Sequence, residues 1–104
     1  MLDKTERINI LLDWYENLLT PNQRSVSTMH YRDDYSLAEI AENTDISRSA
    51  VYDTLQRVAK ILEDAETKLQ CAAKYQTRKL LYQKLADLKI DAVDVVLKQL
   101  FENE

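Results

Sequence analysis

The sequence predicts an all-α protein: a helix-turn-helix without a wing, carrying a long C-terminal helical extension. Three observations predict it. The 104 residues contain no glycine and one proline, Pro21, so tight hairpins, phosphate-cradling loops and dinucleotide folds lack the residue they depend on. The strong helix formers Ala, Leu, Glu, Lys, Gln and Arg are abundant. Between Tyr35 and Lys60, helix caps, apolar positions and a turn follow one another in the register of a helix-turn-helix. The length suits one domain. Within it, residues 1–62 are expected to form the N-terminal helices and the helix-turn-helix, and residues 63–104 the extension.

The first helix is expected from Lys4 to about Leu19. Asp3 caps it and Glu6, three residues on, completes a capping box. Ile8, Leu11, Leu12, Tyr15, Leu18 and Leu19 recur at helical spacing and define its inward face. Thr20-Pro21-Asn22-Gln23 starts a second helix, expected to run to Tyr31. Thr20 caps, Pro21 takes the first position and Gln23 reaches back. Val26, Met29 and His30 form its mostly apolar side, and Asp33-Asp34 breaks the pattern.

Ser36-Leu37-Ala38-Glu39 is a third capping box. A short helix follows, with Leu37, Ile40 and Ala41 inward. Asn43-Thr44-Asp45 is the turn, Ile46 returns to the core and Ser47 caps the next helix. From Arg48 an apolar stripe continues through Val51, Leu55, Val58, Leu62, Ala65, Leu69 and Ala72. Leu55, Leu62 and Leu69, seven apart, make a short heptad-like seam. Tyr75, Leu80, Leu81, Leu85 and Leu88 extend it, with breaks expected near Gln76 or Lys89. A last helix starts at Asp91, with Val93, Val96, Leu97, Leu100 and Phe101 on one side.

A helix-turn-helix makes five local demands, and all are met in register. Ala41 is small where the helices touch. Asp45 tolerates positive φ at the turn, where Gly is usual. Ile46 plugs the core, Ser47 caps, and Val51 and Leu55 point inward. Ser36 through Tyr52 resembles the helix-turn-helix of region four of bacterial sigma factors, and Leu19-Thr20-Pro21-Asn22-Gln23-Arg24 resembles the opening of the helix before it. Met1 to Asn9, Leu18 to Arg24, Asp33 to Ala41 and Ser47 to Asp53 together resemble the YlxM family of small bacterial proteins. The tail shares only the family's character. The resemblance implies a cytoplasmic DNA-binding or regulatory protein, linked to the signal recognition particle pathway.

If the second helix of the motif reads DNA, its exposed early face touches bases and phosphates. Those positions are Arg48, Ser49, Tyr52, Asp53, Gln56 and Arg57. Arg48 suits a phosphate or a guanine edge, Gln56 an adenine, and Ser49 either. Arg24, Arg32 and Lys60 are candidates for backbone contacts. The same residues also fit a plain solvated helix face, and Asp53 repels phosphate. The net charge of −4 and pI of about 5.0 weigh against nucleic acid unless a local basic patch exists.

Other chemistries find little support. Cys71 and His30 are single residues of their types, so neither a disulfide nor a cysteine-based zinc site is expected. Cys71 reads as a small buried hydrophobe, His30 as a half-buried structural residue, and Asp33-Asp34 as a polar turn. Trp14, Tyr15, Tyr31 and Tyr35 could stack single-stranded bases, but fit a core or core-edge role better. No nucleophile, base and orienting group converge, so no enzyme, metal or cofactor is expected. The charged start shows no signal peptide, and no apolar run reaches membrane-spanning length, so a cytoplasmic protein is expected. The tail, Leu62 to Phe101, either packs back on the first helix or pairs with a second copy. A homodimer is the expectation, because two copies read two half-sites. The expected partner is DNA, or RNA. A protein–protein adaptor keeping the motif as scaffold is the alternative, with signal recognition particle components as its partners.

Overall fold

The computed structural model describes residues 3–104, and the Met1-Leu2 start of the resemblance lies outside them. The described residues hold six α-helices: α1 Lys4–Tyr15, α2 Pro21–Ser27, α3 Leu37–Thr44, α4 Arg48–Leu69, α5 Cys71–Ala86 and α6 Asp91–Glu102. No strand occurs among them, so no wing follows α4. The chain divides into two compact units, Met1–Ala72 and Ala73–Glu104. The expected division lies after Leu62. In the structure Ala65, Glu66 and Ala72 are buried, and Ala65 and Ala72 belong to the first unit's core.

All three expected capping boxes form. Glu6 N donates to Asp3 Oδ1 at 2.8 Å, Gln23 N to Thr20 Oγ1 at 3.2 Å and Glu39 N to Ser36 Oγ at 3.1 Å. In each box the acidic or amide side chain also accepts from the cap residue's N–H. Helix starts lie where expected because each is decided within four residues.

Two helix ends differ from expectation. The first helix does not stay α-helical to Leu19; a 3₁₀ turn, Glu16–Leu18, follows Tyr15. Tightening toward three residues per turn rotates the face, so Leu18 is 57% exposed while Leu19 is buried. The second helix widens after Ser27 into a π-helical turn, Thr28–Arg32, closed by Asp33 N donating to Thr28 O at 3.0 Å. Ser27 Oγ donates to Gln23 O at 2.6 Å, a back-bond of the kind that bends helices. The added width keeps Val26 buried and leaves Met29 and His30 half-buried.

The first unit has two apolar clusters. Ile8, Leu11, Leu12, Tyr15 and Leu19 meet Val58, Leu62, Ala65 and Ala72 in one. Val26, Ile40, Val51 and Leu55 form the other, flanked by Met29, Tyr31, Leu37, Ala41 and Ile46. Helix α4 therefore serves both, its first half holding the helix-turn-helix and its second half holding α1. Arg7 clasps Glu63 through two nitrogens, at 3.0 and 2.9 Å, and adds a polar tie between α1 and α4.

The long stripe expected after Ser47 breaks at Gln70, six residues before the expected Gln76. Gln70 takes φ 57°, ψ 28°. A buried polar node holds this bend. Tyr15 Oη donates to Glu66 Oε1 at 2.6 Å, Cys71 N donates to Tyr15 Oη at 3.0 Å, and Ala72 N donates to Glu66 Oε1 at 3.1 Å. Two amides that a continuous helix would bond internally are thus taken by side chains. The break ends the seam early, and Leu69 is 53% exposed. A second break at Lys89, φ 54°, lies at the other expected place. With no glycine in the chain, left-handed turns fall to Asp34, Asp45, Gln70 and Lys89. The second unit pairs Arg78 with Glu104 at 2.7 Å and Tyr82 edge-on with Phe101 at 4.9 Å between centroids.

Candidate nucleic-acid interface

The helix-turn-helix is α3, a tight turn and α4. Asp45 takes the left-handed conformation, φ 57°, ψ 36°, as its place in the turn requires. Ser47 then caps α4, its Oγ accepting from Ala50 N at 3.0 Å. Ile40, Val51 and Leu55 are buried together, with Ala41 and Ile46 packed against them. Glu39, hydrogen-bonded to the backbone and hydroxyl of Ser36, has a carboxyl held below its usual range, so the capping box stays charged at neutral pH.

Burying Val51, Leu55, Val58 and Leu62 turns the opposite face of α4 outward. Arg48, Ser49, Tyr52, Asp53, Gln56, Arg57 and Lys60 are all exposed there. Over this stretch three basic residues face one acid, although Glu39, Glu42 and Asp45 of α3 and the turn lie just before it. Among the described residues, the side chains of Arg48 and Arg57 make no hydrogen bond or ion pair, so both guanidinium groups are available.

The other expected cations are already engaged. Lys60 Nζ lies 3.3 Å from Asp64 Oδ2, one turn along. Arg24 sits on α2 and donates to Asn17 Oδ1 at 2.8 Å and Glu16 O at 3.4 Å. Arg32 is held by Asp13 and Glu16 at 3.1 and 2.9 Å. The structure thus brings Arg48, Ser49, Tyr52, Gln56, Arg57 and Lys60 onto one helix face and puts Arg24 on another element.

One neighbour was missed from the sequence. Lys4 and Thr5 of α1, with His30 and Tyr31, line a cleft of about 220 Å³ beside Tyr52 and Gln56. Lys4 adds a cation at this edge, but only tertiary packing of α1 brings it there, so no local pattern announces it. His30 is half-buried; its Nδ1 lies 2.9 Å from Tyr35 O, and as a carbonyl only accepts, Nδ1 carries the proton. Tyr15 is buried and Trp14 and Tyr31 pack on the core, whereas Tyr35 is 36% exposed and not a core residue. Burial raises the Tyr31 hydroxyl above its ordinary value. Cys71 is half-buried against the first cluster.

The family model described as "Putative helix-turn-helix protein, YlxM / p13 like", UPF0122, matches residues 2–101. The chain belongs to this family. A UPF0122 protein of Exiguobacterium sibiricum is 48% identical over 89 residues, covering 86% of this chain and 84% of that one. One from Geobacillus sp. is 51% identical over 87 residues, 84% and 79% respectively. One from Bacillus thuringiensis is 46% identical over 104 residues, 98% and 94%. The match extends through α5 and most of α6, beyond the stretch where the sequence motifs are specific. Among the described residues no helix is long and apolar enough to cross a membrane.

Proposed function

We propose that this UPF0122 chain is a cytoplasmic regulator that binds double-stranded DNA through the exposed early face of α4. The observation that carries the reading is the pair Arg48 and Arg57, exposed on the second helix of a well-formed helix-turn-helix and, among the described residues, without an acidic partner. Arg48 and Ser49, in the first turn of α4, take base edges or phosphates, Tyr52 and Gln56 follow one turn on, and Arg57 and Lys60 contact the backbone. Lys60 exchanges an exposed Asp64 for phosphate at little cost, since such pairs contribute under about 1 kcal/mol. Arg24 adds an outlying backbone contact. Two copies act together, each on one half-site.

The test is binding of the full chain to a mixed-sequence duplex and to a structured RNA at low and physiological salt. The reading expects duplex binding that weakens as salt rises and is weaker in Arg48→Ala. No binding to the duplex at low salt overturns it.

A second reading rests on Asp53, which sits amid the same face and repels phosphate. It makes the helix-turn-helix a scaffold for a protein or ribonucleoprotein partner, of which the signal recognition particle is the one the resemblance implies. It expects Asp53→Ala to weaken capture of that particle by the purified chain.

A further inference from the structure

The second unit, Ala73–Glu104, cannot bury its own apolar surface. Of its residues only Leu97 is buried. Nine large apolar side chains, from Leu80 to Phe101, are 37% to 69% exposed. Elements of this kind are stable when a further layer covers them. Leu85, Ala92, Val93, Val96, Leu97 and Leu100 line an apolar groove of about 280 Å³. At roughly 100–150 Å² for each large apolar side chain, about half of it open, the nine expose on the order of 500–700 Å². That total, summed over the whole unit, is comparable with the ~800 Å² one partner contributes to a standard interface.

Charge identifies the occupant. Helix α5 carries Lys74, Lys79 and Lys84, Arg78 that is paired with Glu104 of the same unit, and no acid. Helix α6 carries Asp91, Asp94 and Glu102 against Lys98. The unit thus has a basic arm and an acidic arm with apolar surface on both. A nucleic acid is repelled by the acidic arm and gains nothing from the groove. A partner of one charge sign meets repulsion from one arm. A second copy, turned antiparallel about a two-fold axis, sets each basic arm against an acidic arm and covers the groove with the same kind of surface.

We propose that α5 and α6 are the dimerisation module of this protein, docking antiparallel on the same helices of a second copy to form a four-helix bundle. The proposal names the surface behind the two-copy unit proposed above and rests on that part of the reading.

Sedimentation equilibrium of the full chain without nucleic acid tests it. The expected mass is twice the 12.2 kDa of one chain. Val96→Asp and Leu81→Asp each weaken association at least 100-fold, whereas Leu18→Asp, equally exposed on the first unit, leaves it unchanged. Two charge-reversed chains, Lys79→Glu/Lys84→Glu and Asp91→Lys/Asp94→Lys, associate poorly alone and pair one-to-one when mixed; this arm holds even if an apolar variant misfolds. A 12.2 kDa species at all concentrations overturns the proposal. So do folded Val96→Asp and Leu81→Asp chains that keep the dimer mass, or reversed chains that self-associate like the parent. A dimer that ignores duplex DNA defeats only the DNA reading, and a monomer that binds it defeats this proposal and the two-copy part of that reading while the DNA contact of α4 stands.

Discussion

Tyr15 and Glu66, 51 residues apart, meet at 2.6 Å in the buried centre of the first unit. The tyrosine hydroxyl also receives the Cys71 amide, so its proton lies toward the carboxylate. The pair thereby ties α1 to the end of α4 and decides where α4 stops. A carboxylate beside the first amides of α5 also suits the positive end of that helix.

Tyr15→Phe removes one hydroxyl: the Cys71 amide loses its acceptor, and the Glu66 carboxylate loses one donor while keeping the Ala72 amide. An unsatisfied buried group costs about 1–3 kcal/mol, so we expect a loss in that range. Urea titration followed by far-UV circular dichroism measures it. A loss below about 0.5 kcal/mol would mean that the node is ornamental.

The same node makes stability fall in alkali. Burial first, and then the bond to Glu66, raise the Tyr15 hydroxyl above its ordinary value of 10.0. Below pH 10 it is protonated both folded and unfolded. Above pH 10 the unfolded chain loses the proton first, so stability drops as pH rises. The urea midpoint should fall as pH rises above about 10, and fall less in Tyr15→Phe, where Tyr31, raised by burial, and Tyr82, raised first by its bond to Glu104, remain. Equal slopes in the two proteins would contradict the assignment.

Asp45 holds the turn of the helix-turn-helix at φ 57°. A β-branched residue is least tolerant of that conformation, so Asp45→Val should lower stability by about 1–2 kcal/mol. Asp45→Gly should be neutral or better. Thermal unfolding of the three proteins decides, and a Val variant as stable as the parent would show that the turn is unstrained.

Asp53 is the one acid on the proposed binding face between Arg48 and Lys60. Replacing it with lysine removes a repulsion and adds a phosphate contact. Asp53→Lys should tighten duplex binding about tenfold and steepen its salt dependence by about one contact. Fluorescence anisotropy at fixed salt reads this. An unchanged affinity would place the nucleic acid elsewhere, or favour the scaffold reading.

What the sequence made legible is local. The boxes at Asp3, Thr20 and Ser36, the turn at Asp45 and the cap at Ser47 are each decided within a few residues, and the structure contains all of them. Features set across the chain were not legible. The stop at Gln70 needs Tyr15 from α1, so a periodicity running past Leu69 gave no warning. Leu18 left the inward face because the backbone tightened after Tyr15. The DNA-facing candidates on α4 follow from helical period alone, which is why they share one face. The charge of Arg24 and Arg32 marks them as candidates, but a one-dimensional pattern does not show the neighbouring Asp13, Glu16 and Asn17 that hold them.

Whether α4 reads DNA is decided by the slope of log affinity against log salt. The full chain, Arg48→Ala and Arg57→Ala are titrated on one mixed-sequence duplex. If α4 reads DNA, affinity falls linearly with salt, both variants bind more weakly, and the slope is shallower by about one in each, with helicity unchanged. Binding indifferent to salt, or slopes and affinities in both variants equal to the parent's, would contradict it.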